Sequence, residues 1–285
     1  MIIQQQVSAA YHLQVCEGDK VIHDSGEIDN LITDYALTLA NPFTSGFLCV
    51  GTGNTAPEEY DLKLEDEVKA TAASFDKNNA EIFMKDGKRY SKVKCYAEFT
   101  GITQSIREVG FKIQNNASTL VSRTLIRDGN GQLTEIPLRA EQVLKISYYV
   151  YILIPDVISS GEVSGPYGKT YYELRPYDGM TKPMGIFAAN FAEPLNGIRL
   201  SLKIKDVVQK VEAGTTAWIN IPEEQKITGT VNFGAVNDDR FIERIEAHTN
   251  PANYFAIYFP NGLLFNPEES DIGFTINIVW GREGS

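Results

Sequence analysis

Few residues in this 285-residue chain are of the types that do chemistry, and their spacing is loose. Histidine occurs only as His12, His23 and His248, and cysteine only as Cys16, Cys49 and Cys95. There is no C-x-x-C pair and no cysteine beside a histidine pair, whereas catalytic and metal sites converge several such groups. His12 and His23 could meet across a hairpin and share a metal, but two ligands without a third make a weak site. Cys49 and Cys95 stand in apolar runs and read as small buried hydrophobes, which suits a reducing site of synthesis. The expectation is therefore a non-enzymatic chain, with no catalytic residue, no metal and no cofactor.

Two turns invite sharper readings. In GTGNTAP, residues 51–57, a glycine-rich turn exposes backbone N–H groups that could cradle a phosphate. The segment lacks the Lys-Ser/Thr ending of a P-loop and the third glycine of a dinucleotide fingerprint, so a tight turn leaving a strand is the plainer reading. Asp128, Asn130 and Glu135 supply part of a calcium loop, but a full loop needs more oxygens and a fixed glycine. DGNG, residues 128–131, then reads as a hairpin turn. The 37 acidic residues could assemble a glycosidase carboxylate pair, yet none is singled out.

The densest cluster of binding-type residues is Tyr167, Tyr171, Tyr172 and Tyr177 with Arg175 and Asp178. Tyrosine and arginine are enriched in protein interfaces, so an interface ranks first here. Packing on neighbouring strands ranks second and stacking on a glycan third.

The elements that would position these groups are mostly strands. Tyr11-His12-Leu13-Gln14-Val15 alternates apolar and polar, and EGDK turns it back into Val21-Ile22, giving a hairpin over 9–23. Val93, Cys95, Ala97 and Phe99 alternate in the same way, and VLKISYYVYILI has the composition of a long central strand. LVSRTLI and QLTEIPL flank DGNG as a strand pair. Asp29 or Asn30 can cap a short helix ending before Asn41-Pro42. A second short helix over 57–72, with Leu64 and Val68 inward, competes with an irregular excursion because its apolar stripe is thin. From Pro155 glycine, proline and tyrosine break the periodicity, so 159–197 reads as a long irregular interaction loop. Further short strands separated by turns follow to the end. The fold expected is mainly β: two β-sandwich-like domains, 1–154 and 155–285, with one or two short helices.

Composition narrows the partners. An apolar share of 43% and a charged share of 22% exclude a disordered chain. The net charge of −11 argues against nucleic acid or an anionic membrane as main partner. No apolar run approaches the roughly 18 residues of a membrane span. The N-terminal MIIQQQVSAAYHLQV lacks the basic and apolar regions of a signal peptide.

An ordered series of segments carries a resemblance. GEIDNLITDYAL, FLCVGTGNTAPEEYDLKLEDEV, EFTGITQSIREVGFKI, TLVSRTLIRDGNGQLTEIPL and EQVLKISYYVYI follow one another over about 25–152. The series resembles tailed-bacteriophage virion proteins of the tail, collar or tail-fibre region, with their N-L-I-T, V-G-T-G-x-x-x-P and L-x-x-R-x-L-I segments. Tyr35-Ala36 departs from it, standing where many relatives have a glycine before the leucine. The resemblance implies a structural virion subunit, made in the host cytoplasm, that acts by assembly with other virion proteins. A symmetric homo-oligomeric ring or trimer is expected. The alternative is a receptor-binding tail protein whose C-terminal β domain recognises host-surface glycan.

Overall fold

The computed structural model describes residues 2–39, 42–76, 80–165, 168–176, 199–204, 207–211, 217–221, 224–233, 240–249, 252–265 and 272–283. The chain is mainly β. Its strands are β1 (Ile2–Glu17), β2 (Lys20–Asp29), β3 (Leu31–Ile32), β4 (Ser45–Gly51), β5 (Glu67–Ser74), β6 (Glu81–Lys85) and β7 (Lys88–Thr100). Then come β8 (Ser105–Ile106), β9 (Glu108–Lys112), β10 (Leu120–Leu125), β11 (Ile136–Pro137), β12 (Val143–Ile154), β13 (Ser159–Gly165) and β14 (Gly168–Pro176). The last are β15 (Arg199–Ile204), β16 (Val207–Val211), β17 (Ala217–Ile221), β18 (Lys226–Phe233), β19 (Arg240–Thr249), β20 (Ala252–Phe265) and β21 (Ile272–Arg282). One helical turn, α1 (Asp34–Leu37), interrupts them.

Two compact units form from separated stretches of chain. The first comprises Gln6–Glu81, Lys92–Ile152 and Arg282–Ser285; the second comprises Met1–Gln5, Ile82–Ser91 and Leu153–Gly281.

In the first unit, β2, β1, β12 and β7 lie side by side. The pairs Tyr11↔Tyr148 and Leu13↔Ile146 set the β1–β12 register. Residues two apart share a face, so Tyr11, Leu13, Val15, Ile146, Tyr148, Val93, Cys95 and Phe99 all point into the core and are buried. The expected hairpin is present, turning at Gly18 with φ +56°.

A second sheet, ordered β3-β10-β9-β4-β5, lies across this core. The Tyr11 and Tyr148 rings stack at 4.5 Å, and Phe75 and Phe111 lie 5.5 and 5.6 Å from Tyr148. The Tyr11 hydroxyl and Ser122 Oγ share a hydrogen bond of 2.6 Å across the sandwich. Burial pushes both phenols above the ordinary tyrosine range. The cysteines are free and buried, and burial pushes the Cys49 and Cys95 thiols up as well.

Strands β9 and β10 are buried along their whole length. A register irregularity between Leu120 and Ser122 lets Ser122 face Tyr11 while Leu120 and Arg123 share the opposite face.

Four local expectations are corrected. Leu31–Ile32 is strand and only Asp34–Leu37 is helical, capped by Thr33 rather than Asp29 or Asn30. Thr33 is fixed there because its hydroxyl donates to the Leu120 carbonyl at 2.6 Å. No helix forms over 57–72: an irregular stretch runs into β5, which pairs with β4 from Ser45↔Ser74 to Gly51↔Glu67. The runs flanking DGNG meet only at the bridge Arg127↔Leu133, because β10 pairs with β9 and β3 while β11 pairs with β8. The turn itself holds, with Gly131 at φ +78°. Finally, much of 159–176 is a regular hairpin, β13 against β14 from Ser159↔Leu174 to Gly165↔Gly168. The rest of the expected loop, 177–197, lies outside the described residues, as do 166–167.

In the second unit the order is β13-β14-β20-β19-β15-β16, and β17, β18 and β21 pair in sequence. Leu174 faces Ile257 across β14 and β20, both buried. The β6–β7 hairpin turns at Asp86 and Gly87, with φ of 52° and 75°, as a two-residue type I′ connection requires.

Candidate functional site

The outer face of the β3-β10-β9-β4-β5 sheet carries charge where a strand buried on both sides would ordinarily be apolar. Alternation in β9 sends Val109 and Phe111 inward and leaves Glu108 and Lys112 outward. Arg123 joins them from β10, opposite Gly110. Residues 58–66 lie against this face and bury Leu64 with Cys49 and Leu120. Gly110 permits the approach, since a Cβ there would lie 2.9 Å from Leu64 and from Leu120.

Charges enclosed in this way need partners, and each has them. Arg123, 3% exposed, donates from Nε to Glu108 at 2.8 Å and from Nη1 to Asp61 at 2.7 Å. Its Nη2 reaches the Thr55 carbonyl at 3.1 Å. Glu108 is fully buried and also accepts from the backbone N–H of Gly53, Glu65 and Asp66 at 3.2, 3.2 and 2.9 Å. Lys112 pairs with Glu67 at 2.6 Å.

The glycine-rich turn is where these partners converge. Glu65 Oε2 accepts from the N–H of Asn54 at 2.6 Å and of Thr55 at 2.8 Å, and from the Thr55 hydroxyl at 3.0 Å. These donors, Thr55 N–H foremost, hold the Glu65 carboxyl below the ordinary carboxylate range. Asp66 accepts from the Thr52 hydroxyl. The N–H groups that could have cradled a phosphate therefore already hold carboxylates of the same chain. The glycines are small for the same reason: a Cβ on Gly51 or Gly53 would stand 2.5 Å from Glu108 Oε1. Chemically the arrangement is a lock, not a vacant anion site.

The terminal stretch joins the same unit. Arg282 donates from Nε to the Ile32 carbonyl at 2.7 Å and pairs with Asp34 at 2.5 Å and Glu59 at 3.2 Å.

The residues expected to do chemistry are dispersed. His12 bonds Asp24 at 2.7 Å, while His23 stands opposite Val15, so the two histidines do not converge. Among the described residues no three His, Cys, Asp or Glu side chains are grouped to hold a metal ion. Asp128 caps its own turn, accepting from the N–H of Asn130 and Gln132 at 2.9 Å each. Of the tyrosine cluster, Tyr171 is 40% exposed and Tyr172 is buried against Gly161 on the opposite face of β14. Arg175 shares the Tyr171 face, pairs with Glu173 and lies 5.5 Å from the Tyr258 ring. Tyr167 and Tyr177 lie outside the described residues. Sequence reasoning passed over Asp61, Glu65, Glu108 and Arg123. The signal available was a charged residue inside the short apolar runs EVGF and LVSRTLI.

Comparison of the chain with protein families, curated proteins and solved structures finds no match.

Proposed function

We propose that the chain is a non-enzymatic structural subunit of a tailed-phage virion, in the neck, tail or fibre attachment. One observation carries this reading. The segments on which the resemblance rests, up to about 90 residues apart in sequence, interlock in space. Thr33 of N-L-I-T bonds β10, Glu65 fills the V-G-T-G turn, and Arg123 of L-x-x-R joins Asp61, Glu108 and Thr55. Their polar groups are spent on rigidity, which suits a part that must hold its shape under assembly rather than turn over a substrate. Other virion proteins and further copies of the chain are its partners, and the virion is its place.

The test is native mass spectrometry and negative-stain imaging of the purified protein. Closed rings or trimers support the reading. A strict monomer that binds host-surface glycans on an array supports the alternative, a receptor-binding tail protein. The exposed Tyr171 beside Glu173 and Arg175 gives that alternative its platform. Release of reducing ends from host polysaccharide would overturn both.

A further inference from the structure

Asp34 and Glu59 are joined twice, once through their backbones and once through a shared cation. The Asp34 N–H donates to the Glu59 carbonyl at 2.7 Å, and the Arg282 guanidinium pairs with both side-chain carboxylates. The same guanidinium donates to the Ile32 carbonyl, one residue before the Thr33 cap of α1. The helical turn is four residues long, too short to be stable by its own hydrogen bonds, so its order comes from tertiary contacts. Two carboxylates brought together repel unless a cation stands between them.

That cation comes from far along the chain. Strand β21 belongs to the second unit as far as Gly281, and Arg282 is the first residue after it in the first unit. Beyond Arg282, the Glu283 N–H donates to the Val7 carbonyl at 2.9 Å, and its carboxylate accepts from the Ser8 hydroxyl at 2.9 Å. Before Arg282, β21 is laddered to β18 from Phe233↔Ile272 to Lys226↔Val279, and the Trp280 N–H donates to the Gln225 carbonyl at 3.2 Å. Only Gly281 separates the clamped arginine from that ladder.

We infer that Arg282 is a clasp by which the β18–β21 ladder controls whether α1 stays joined to Glu59. While the ladder is closed, the guanidinium is held to Ile32, Asp34 and Glu59 together. When the ladder opens, Arg282 loses its anchor, the two carboxylates part, and the Asp34–Glu59 backbone bond opens with them. Arginine suits the task because its planar fork serves a carbonyl and two carboxylates at once. The device is a conformational link inside one chain and does not rest on the assembly reading.

The test is amide exchange on the full chain, read at Asp34. Arg282→Ala should quicken Asp34 exchange roughly fivefold or more, while the β1 and β12 amides keep their wild-type rates and show that the variant is folded. Thr228→Gly weakens the ladder without touching the clasp, since it removes a β-branched side chain whose hydroxyl donates to Asn277 at 2.9 Å. It should quicken Asp34 as well, yet add nothing in the Arg282→Ala background, where the link is already cut. An Asp34 rate that Arg282→Ala leaves unmoved overturns the inference. So does a Thr228→Gly protein whose β18 amides quicken while Asp34 does not, or one whose Asp34 quickens equally with and without Arg282. Each of these outcomes leaves the assembly reading standing, because that reading is decided by oligomeric state.

Discussion

Arg123 Nε donates to the Glu108 carboxylate at 2.8 Å, with the arginine 3% exposed and the glutamate fully buried. Neither could be tolerated alone in that place, because an isolated buried charge is far costlier than a paired one. The pair also explains why an acidic, thinly apolar stretch stays ordered. The Asp61 carboxylate and the N–H groups of Glu65 and Asp66 complete the same network.

Removing one partner should therefore hurt more than removing both. Arg123→Met leaves Glu108 with backbone donors only and should cost about 3–5 kcal/mol. Arg123→Met with Glu108→Gln should recover part of that loss. Urea unfolding of Arg123→Met, Glu108→Gln and the double variant checks this; a double variant whose loss is the sum of the two single losses would show that the pair is not coupled.

Gly53 tests the lock from the other side. A Cβ would lie 2.5 Å from both Glu108 Oε1 and Glu65 Cβ, so Gly53→Ala forces the carboxylates away from the turn. The expected cost is about 1–3 kcal/mol. Amide exchange at Asn54 and Thr55 should quicken in parallel, as it should in Glu65→Gln, since both N–H groups donate to Glu65.

In the DGNG turn the two glycines are not equivalent. Gly131 has φ +78°, whereas Gly129 is not in the left-handed region and has open space around its Cβ position. Gly131→Val should destabilise by about 1 kcal/mol or more, and Gly129→Ala should be nearly neutral. Thermal melts of the two variants decide it.

Asp24 gives a pH signature. The Gln14 amide, the Gly26 N–H and His12 hold its carboxyl at about 2. A carboxyl lowered on folding adds stability above its unfolded pKa of about 4 and loses it as pH falls through the folded value. The window is thus between about pH 4 and pH 2. The side chain is 47% exposed, so solvent screening keeps the effect to about 1 kcal/mol or less. Asp24→Asn should flatten the stability profile in that window, lowering stability at pH 7 by up to that amount and leaving it unchanged near pH 2.

The strands were legible because burial of one sheet face imposes a period of two. Tyr11, Leu13 and Val15 report it in β1, and Val93, Cys95, Ala97 and Phe99 report it in β7. The turns at Gly18 and Gly131 were legible because few residues adopt a positive φ. Where local preference and tertiary pairing disagreed, pairing won. Glu67–Ser74 has a composition a helix would accept, yet it is strand because β4 presents it with a ladder. The 159–176 hairpin escaped notice because its ladder, not an apolar period, holds it together.

The site was legible only in pieces. The sequence alone supplied a glycine-rich turn with free N–H groups and an acidic run a few residues later. That the two satisfy each other depended on Arg123 and Glu108 arriving from β10 and β9. Those strands lie more than 50 residues along the chain from the turn, and their distance from it is set by sheet register and by the bulge before Ser122. Local sequence fixes which groups a segment offers; only the fold decides which of them meet, because desolvation makes each buried charge choose its partner in space rather than in sequence.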